Sequence, residues 1–283
     1  MARLRWCARL YCYSMRPSLG TGLWCCIVFP PKRCTVPVGY HAFMSRSRLF
    51  LIACLGLSLA GCDAPKVSID GHTGVRLAQL DLTGRTAHEV TLLGPDTVHV
   101  VHGDTLTIRV DGDARAIAAL RFVLNDGKLG IGRQPDANAG SGTATVTITD
   151  PSVDHMVMAG SGTMSNDRLV GNVVGVTIGG AGHVVTAGIE ATQLDVEVLG
   201  SGSFTGSGHA GKLALTLAGS GDADLAQLRA DSARIDVAGT GTGALTSDGR
   251  VTGSVVGTGV VNVHGKARCD IRVTGTGRVT CQP

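Results

Sequence analysis

Seven Gly-x-Gly triplets recur along the second half of this 283-residue chain, and they constrain its fold more than any other feature. Their first glycines are Gly160, Gly180, Gly200, Gly219, Gly239, Gly257 and Gly275, at intervals of 20, 20, 19, 20, 18 and 18 residues. A period that steady means one supersecondary unit per repeat, stacked on its neighbours as a solenoid. The apolar residues keep the same phase. Two, four and six residues before a triplet stand Val174, Val176 and Ile178, then Leu194, Val196 and Val198, then Leu213, Leu215 and Leu217, then Ala233, Ile235 and Val237. Strict alternation marks a strand with one buried face. Four residues after the first glycine the pattern resumes at Met164, Val184, Phe204, Val261 and Val279. Each repeat therefore reads as strand, corner, strand and loop, with rungs stacked about 4.8 Å apart around one core.

The triplets are corners, where glycine permits positive φ at a sharp bend. Between the glycines lie Ser161, Ala181, Ser201, Ser220, Thr240, Thr258 and Thr276, a column whose hydroxyls are placed to hydrogen-bond along the stack. Gly-rich phosphate cradles need a helix N-terminus after the glycines, and no triplet here leads into a helical period. Calcium-binding Gly-rich solenoids repeat every nine residues with an acid in each turn, and only Asp222 directly follows a triplet.

Composition divides the chain in two. Eight of its 25 Lys and Arg residues precede Cys62, whereas all 22 Asp and Glu residues follow it, so the part from Cys62 onward carries about five net negative charges. That part retains just two aromatic residues, Phe122 and Phe204. An acidic surface poor in stacking rings argues against nucleic-acid binding.

Met44 opens a second N-terminus inside the chain. Arg46 and Arg48 form a short basic region, and an apolar run from Leu49 to Ala60 follows. The run is too short to span a bilayer core of about 30 Å and fits a secretory signal over residues 44–61. It ends in Leu59-Ala60-Gly61-Cys62, which resembles the bacterial lipobox and marks Cys62 as the lipidated first residue of the mature chain. Asp63 resembles the signal that retains lipoproteins at the inner membrane of enteric bacteria. Residues 1–43 hold five of the nine cysteines without paired metal-ligand spacing and no acidic residue, so they read as an upstream extension from too early a start codon. If Cys62 carries lipid, Cys269 and Cys281 form an even pair in an oxidising compartment. They fall six residues before and six after Gly275, both inward by phase. A disulfide there closes the terminal rung and contributes roughly 3 kcal/mol; the alternative is two small buried thiols.

Residues 62–89 form a linker with the first strands, and residues 66–150 are strand-rich without the twenty-residue period. Val98 and Val100, then Leu106, Ile108 and Val110, alternate between turns at His102-Gly103-Asp104 and Asn125-Asp126-Gly127, with a short helix expected from Ala114 to Leu120. The strand order ending in Asn125-Asp126-Gly127-Lys128-Leu129-Gly130-Ile131, the lead-in at Pro151 and the Gly-Ser-Gly ladder resemble the bacterial head GIN domain family, an auto-transporter adhesin group. The resemblance covers roughly residues 90 to 281. It implies a β-helical protein of the cell envelope, frequently a lipoprotein, with no catalytic residues and no cofactor.

The expected architecture is thus all-β: a right-handed parallel β-helix with an irregular, strand-rich N-terminal part. The expected function is a non-catalytic envelope lipoprotein, attached to the membrane by its lipid and meeting a glycan or protein partner. The alternative is a β-helical polysaccharide-acting enzyme. Its basis is the outward positions three and five before each triplet, which bring Asp195 and Glu197 onto one rung, Arg234 and Asp236 two rungs on, and Asp270 and Arg272 at the end. Glu197 and Asp236 then lie about 9.6 Å apart, two strand spacings, with Thr216 between them. That is wide for a shared metal, and the mixed charges fit a salt-bridged face better. His99 and His102, three apart in a strand, are expected on opposite faces and are poor joint ligands.

Overall fold

The computed structural model describes residues 68–69, 71–134 and 142–282, so the extension, the signal segment and Cys62 lie outside the described residues. Strands in chain order are β1 (Ser68–Ile69), β2 (His72–Thr73), β3 (Glu89–Gly94), β4 (Thr97–His102), β5 (Thr107–Gly112), β6 (Leu120–Asn125), β7 (Lys128–Arg133), β8 (Ala144–Asp150), β9 (His155–Gly160), β10 (Thr163–Asn166), β11 (Leu169–Gly180), β12 (His183–Gly200), β13 (Ser203–Gly219), β14 (Asp222–Gly239), β15 (Thr242–Gly257), β16 (Val260–His264), β17 (Arg268–Gly275) and β18 (Arg278–Gln282). One helix, α1 (Ala114–Ala119), separates β5 from β6. Its N-cap is Asp113, whose carboxylate accepts from the Arg115 and Ala116 amides and so satisfies two of the helix's free donors.

The periodic half is a parallel β-solenoid of about six turns. The wall before each corner stacks β9, β11, β12, β13, β14, β15 and β17 in that order. The wall after it stacks β10 and the first parts of β12 to β15, then β16 and β18. Inward residues Val176, Val196, Leu215 and Ile235 share one register column, and all are buried. One apolar core runs the length of the stack, because no rung can bury its inner face alone.

The segment expected as the loop of each repeat is a third, short wall. Leu169, Ile189, Gly208 and Leu228 align across it, followed by Gly171, Ala191, Ala210 and Ala230. Ile189, Leu228, Ala210 and Ala230 are buried there. The pairing register slips on entry to this wall, between Thr186 and Ile189 and between Leu225 and Arg229. That slip hides the wall from a strict period.

The aperiodic front half belongs to the same solenoid. β3 lies beside β9 with Gly94 against Gly160, and β4 lies beside β10. Gly94-Pro95-Asp96 is therefore an eighth corner that the triplet pattern does not spell. The sequence loses the period because the next layer in space, β7 with β8, comes later in the chain and pairs on the far side of β3 and β4. β6 and β5 then close this end antiparallel to β7 and β8. Asn125-Asp126-Gly127 makes the β6–β7 hairpin, with Asp126 and Gly127 both at positive φ (47° and 73°), as a two-residue turn of that hand requires. Leu77, Leu80 and Ile117 pack over the closed end.

Candidate functional site

Each corner is built the same way. The first glycine has φ of +121° at Gly219 and +129° at Gly239, and a Cβ at Gly239 would lie 2.1 Å from the Gly219 carbonyl oxygen. The next residue's amide donates to the corner glycine of the rung before: Ser220 to Gly200 at 2.8 Å, Thr240 to Gly219 at 2.8 Å and Thr258 to Gly239 at 2.9 Å. What ties the column together is thus the backbone, while Ser201, Ser220, Thr240 and Thr258 expose their hydroxyls to solvent as a ridge.

At the eighth corner Asp96 stands where later rungs place their inward glycine. Its side chain is wholly buried and holds the neighbouring layer: Arg133 Nε donates to it at 2.7 Å and the Ala144 amide at 2.8 Å. Hydrogen bonding to Asp96 raises the Arg133 pKa above its ordinary value, outweighing burial, so the guanidinium stays charged at every pH below the usual arginine range.

Two acids of the outer wall, Asp195 and Asp236, are engaged by their neighbours. Asp195 and Glu197 share columns with Arg234 and Asp236 through Ala214 and Thr216, the placement the phase predicts. Asp195 accepts from Gln193 at 2.9 Å, and Asp236 accepts from Arg234 at 2.8 Å and from Ser254 at 2.7 Å. The Arg250–Asp270 pair, 4.0 Å apart, is exposed and weak. Among the described residues no three metal-ligating side chains converge.

The triplet phase also carries a column that alternation alone does not single out. Seven residues before successive corners stand Gln193, Lys212, Ser232, Arg250 and Arg268, in register across β12 to β17. The first four edge a shallow cavity of about 310 Å³, floored by Leu213, Ala214 and Ala233 and flanked by Arg234. Cations beside small apolar side chains suit a ligand with acceptor groups and a flat apolar face.

The opposite wall is a lattice of hydroxyl and imidazole groups. Thr97, Thr163, His183, Ser203, Asp222 and Thr242 align outward. His99 bonds Ser165 at 2.6 Å, and His183 bonds Ser203 at 2.7 Å. His102 ends β4 in phase with the buried Val98 and Val100 rather than with His99, and is exposed where the strand stops. It edges a cavity of about 170 Å³ shared with Asp150 and Arg168. Beside it the buried Asn166 has no partner for its Nδ2, which suits an ordered water.

Cys269 and Cys281 are joined as a disulfide across the terminal rung, with their Cα atoms 6.6 Å apart. Cys281→Ser is expected to cost roughly 3 kcal/mol. The loss should concentrate in amide exchange of β17 and β18, with β12 and β13 unchanged.

The fold and these walls define a class: a parallel β-solenoid with polar, ion-paired faces and a closed N-terminal end. Within that class the chain belongs to the family described as "Putative auto-transporter adhesin, head GIN domain", whose model matches residues 88–267. The fold is similar to that of a "putative adhesin" from Bacteroides fragilis NCTC 9343, at 16% identity and a TM-score of 0.63, covering 70% of this chain and 93% of that one. A "putative lipid binding protein" from Parabacteroides distasonis ATCC 8503 is similar at 16% identity and a TM-score of 0.55, with the same coverage. No curated protein matches the sequence.

Proposed function

We propose that this protein is a non-catalytic adhesion module of the bacterial cell envelope, anchored by lipid at Cys62. It meets an envelope glycan or protein with its polar walls. The observation that carries this reading is the outer wall: Asp195 and Asp236 are spent on adjacent Gln, Arg and Ser side chains at hydrogen-bond distance, and the wall's acids do not converge on one point. Such a surface offers many modest polar contacts, which suits recognition of an extended partner. The groove along Gln193, Lys212 and Arg250 is its most differentiated part. Membership of the adhesin head family and the lipobox ending at Cys62 support the envelope address. Among the described residues no helix is long and apolar enough to cross a membrane.

Intact-mass analysis of protein from native membranes tests the anchor. The expected mature chain starts at an acylated Cys62, and Cys62→Ser moves the protein to the soluble fraction. An unmodified N-terminus containing Trp6 would overturn it. Retention of immobilised envelope polysaccharide tests the walls: Lys212→Glu with Arg250→Glu should weaken binding at least tenfold, whereas undiminished binding removes the groove from the proposal.

A further inference from the structure

The two ends of the solenoid differ. The N-terminal end is closed by the antiparallel strands β5 and β6 and by Leu77, Leu80 and Ile117. At the other end β17 pairs with β15 and β18 with β16, and no described strand lies beyond either. Ile271 and Val279 are half-buried at that rim, and Val273, next in the inward column after Val237 and Val255, is 42% exposed. A sheet edge over an open core is a template for another strand unless its charges forbid it.

Here the charges select rather than forbid. The outer face of β17 carries Arg268, Asp270, Arg272 and Thr274, alternating in sign. Consider a second copy pairing antiparallel along this edge with its outer face on the same side. Registers centred on residue 270 or 272 oppose Asp270 or Arg272 to its own copy. The register centred on Ile271 opposes Asp270 to the partner's Arg272, and Arg272 to the partner's Asp270. It also covers the strand from Arg268 to Thr274. On the inner face Ile271 then meets the partner's Ile271, and Cys269 meets the partner's Val273, so the exposed apolar rim is covered. Such a contact is isologous and closes as a two-fold dimer. Asp270 is free to take part, since its side chain is 72% exposed and its own Arg250 contact is 4.0 Å long. The disulfide holds the terminal rung in strand form, as edge pairing needs.

We infer that the C-terminal end is a self-association surface, joining two copies end to end through antiparallel β17 strands. The closed N-terminal ends then face outward at the two extremities of the dimer. The surface is the terminal edge of the outer wall, one rung beyond Arg250, and the contact stands whatever the groove binds.

Charge exchange tests this on the full chain in mild detergent, by sedimentation velocity across a concentration series. The wild type is expected to form a dimer whose dissociation constant rises with salt. Asp270→Arg alone opposes Arg to Arg, and Arg272→Asp alone opposes Asp to Asp; each should weaken the dimer at least tenfold. The double exchange restores opposite charges across the same register and should restore the dimer. Both positions are exposed, and unchanged thermal unfolding of the variants shows that the rung is intact. A wild type that stays monomeric throughout overturns the inference, as does a dimer indifferent to the single changes. Loss without rescue in the double variant overturns the register and with it the proposed contact.

Discussion

Gly239→Ala should lower stability by about 3–5 kcal/mol, although it adds one methyl group at the surface of the solenoid. Two costs coincide. At φ +129° an L side chain is strained whatever the space, and the new Cβ would lie 2.1 Å from the Gly219 carbonyl oxygen. That oxygen is fixed, since it accepts the Thr240 amide at 2.8 Å. The rung must tilt or lose this bond, and rungs on both sides share the core it would disturb. Thr240→Ala next door should cost less than about 0.5 kcal/mol, because its side chain is exposed and makes none of the corner's bonds. Urea unfolding of the pair measures both. Similar costs for the two would mean that the corner glycines serve only to bend the chain.

Arg133→Met is expected to cost about 3–5 kcal/mol, since it leaves the buried Asp96 carboxylate without its cation. The Asp96 side chain is fully buried and the Arg133 side chain 13% exposed, so little solvent screens the loss. The Ala144 amide remains as a single donor to a charge that had three. Asp96→Leu combined with Arg133→Met should cost less than Arg133→Met alone, because no unpaired charge is left behind. Thermal unfolding followed by far-ultraviolet circular dichroism checks the order. A harmless Arg133→Met would show that water reaches Asp96.

Much of this fold was legible because a solenoid writes its geometry as a period. The alternation Leu213, Leu215, Leu217 located a buried wall, the triplets located the corners, and the count from Gly275 brought Cys269 opposite Cys281. The phase likewise placed Asp236 two rungs from Glu197. Gly94-Pro95-Asp96 stayed hidden because a buried carboxylate, with its own partner in the next layer, occupies the place of the inward glycine. The third wall stayed hidden because Ala191, Ala210 and Ala230 are small and the register slips beside them. The column from Gln193 to Arg268 was periodic too, yet its residue types differ from rung to rung, so only the phase, not the chemistry, points to it.

The interleaved front layer has a consequence for how the chain reaches its structure. From β11 to β17 each rung meets one about twenty residues away, so these rungs can add one at a time like the teeth of a zip. The β3–β4 rung has no such local partner. It lies between β7–β8 on one side and β9–β10 on the other, all later in the chain, so it cannot acquire either neighbour until those segments have been made. Contacts of that span are slow to close. The N-terminal end is thus made first and finished late, and the rate at which the whole molecule folds should be set there rather than in the regular repeats.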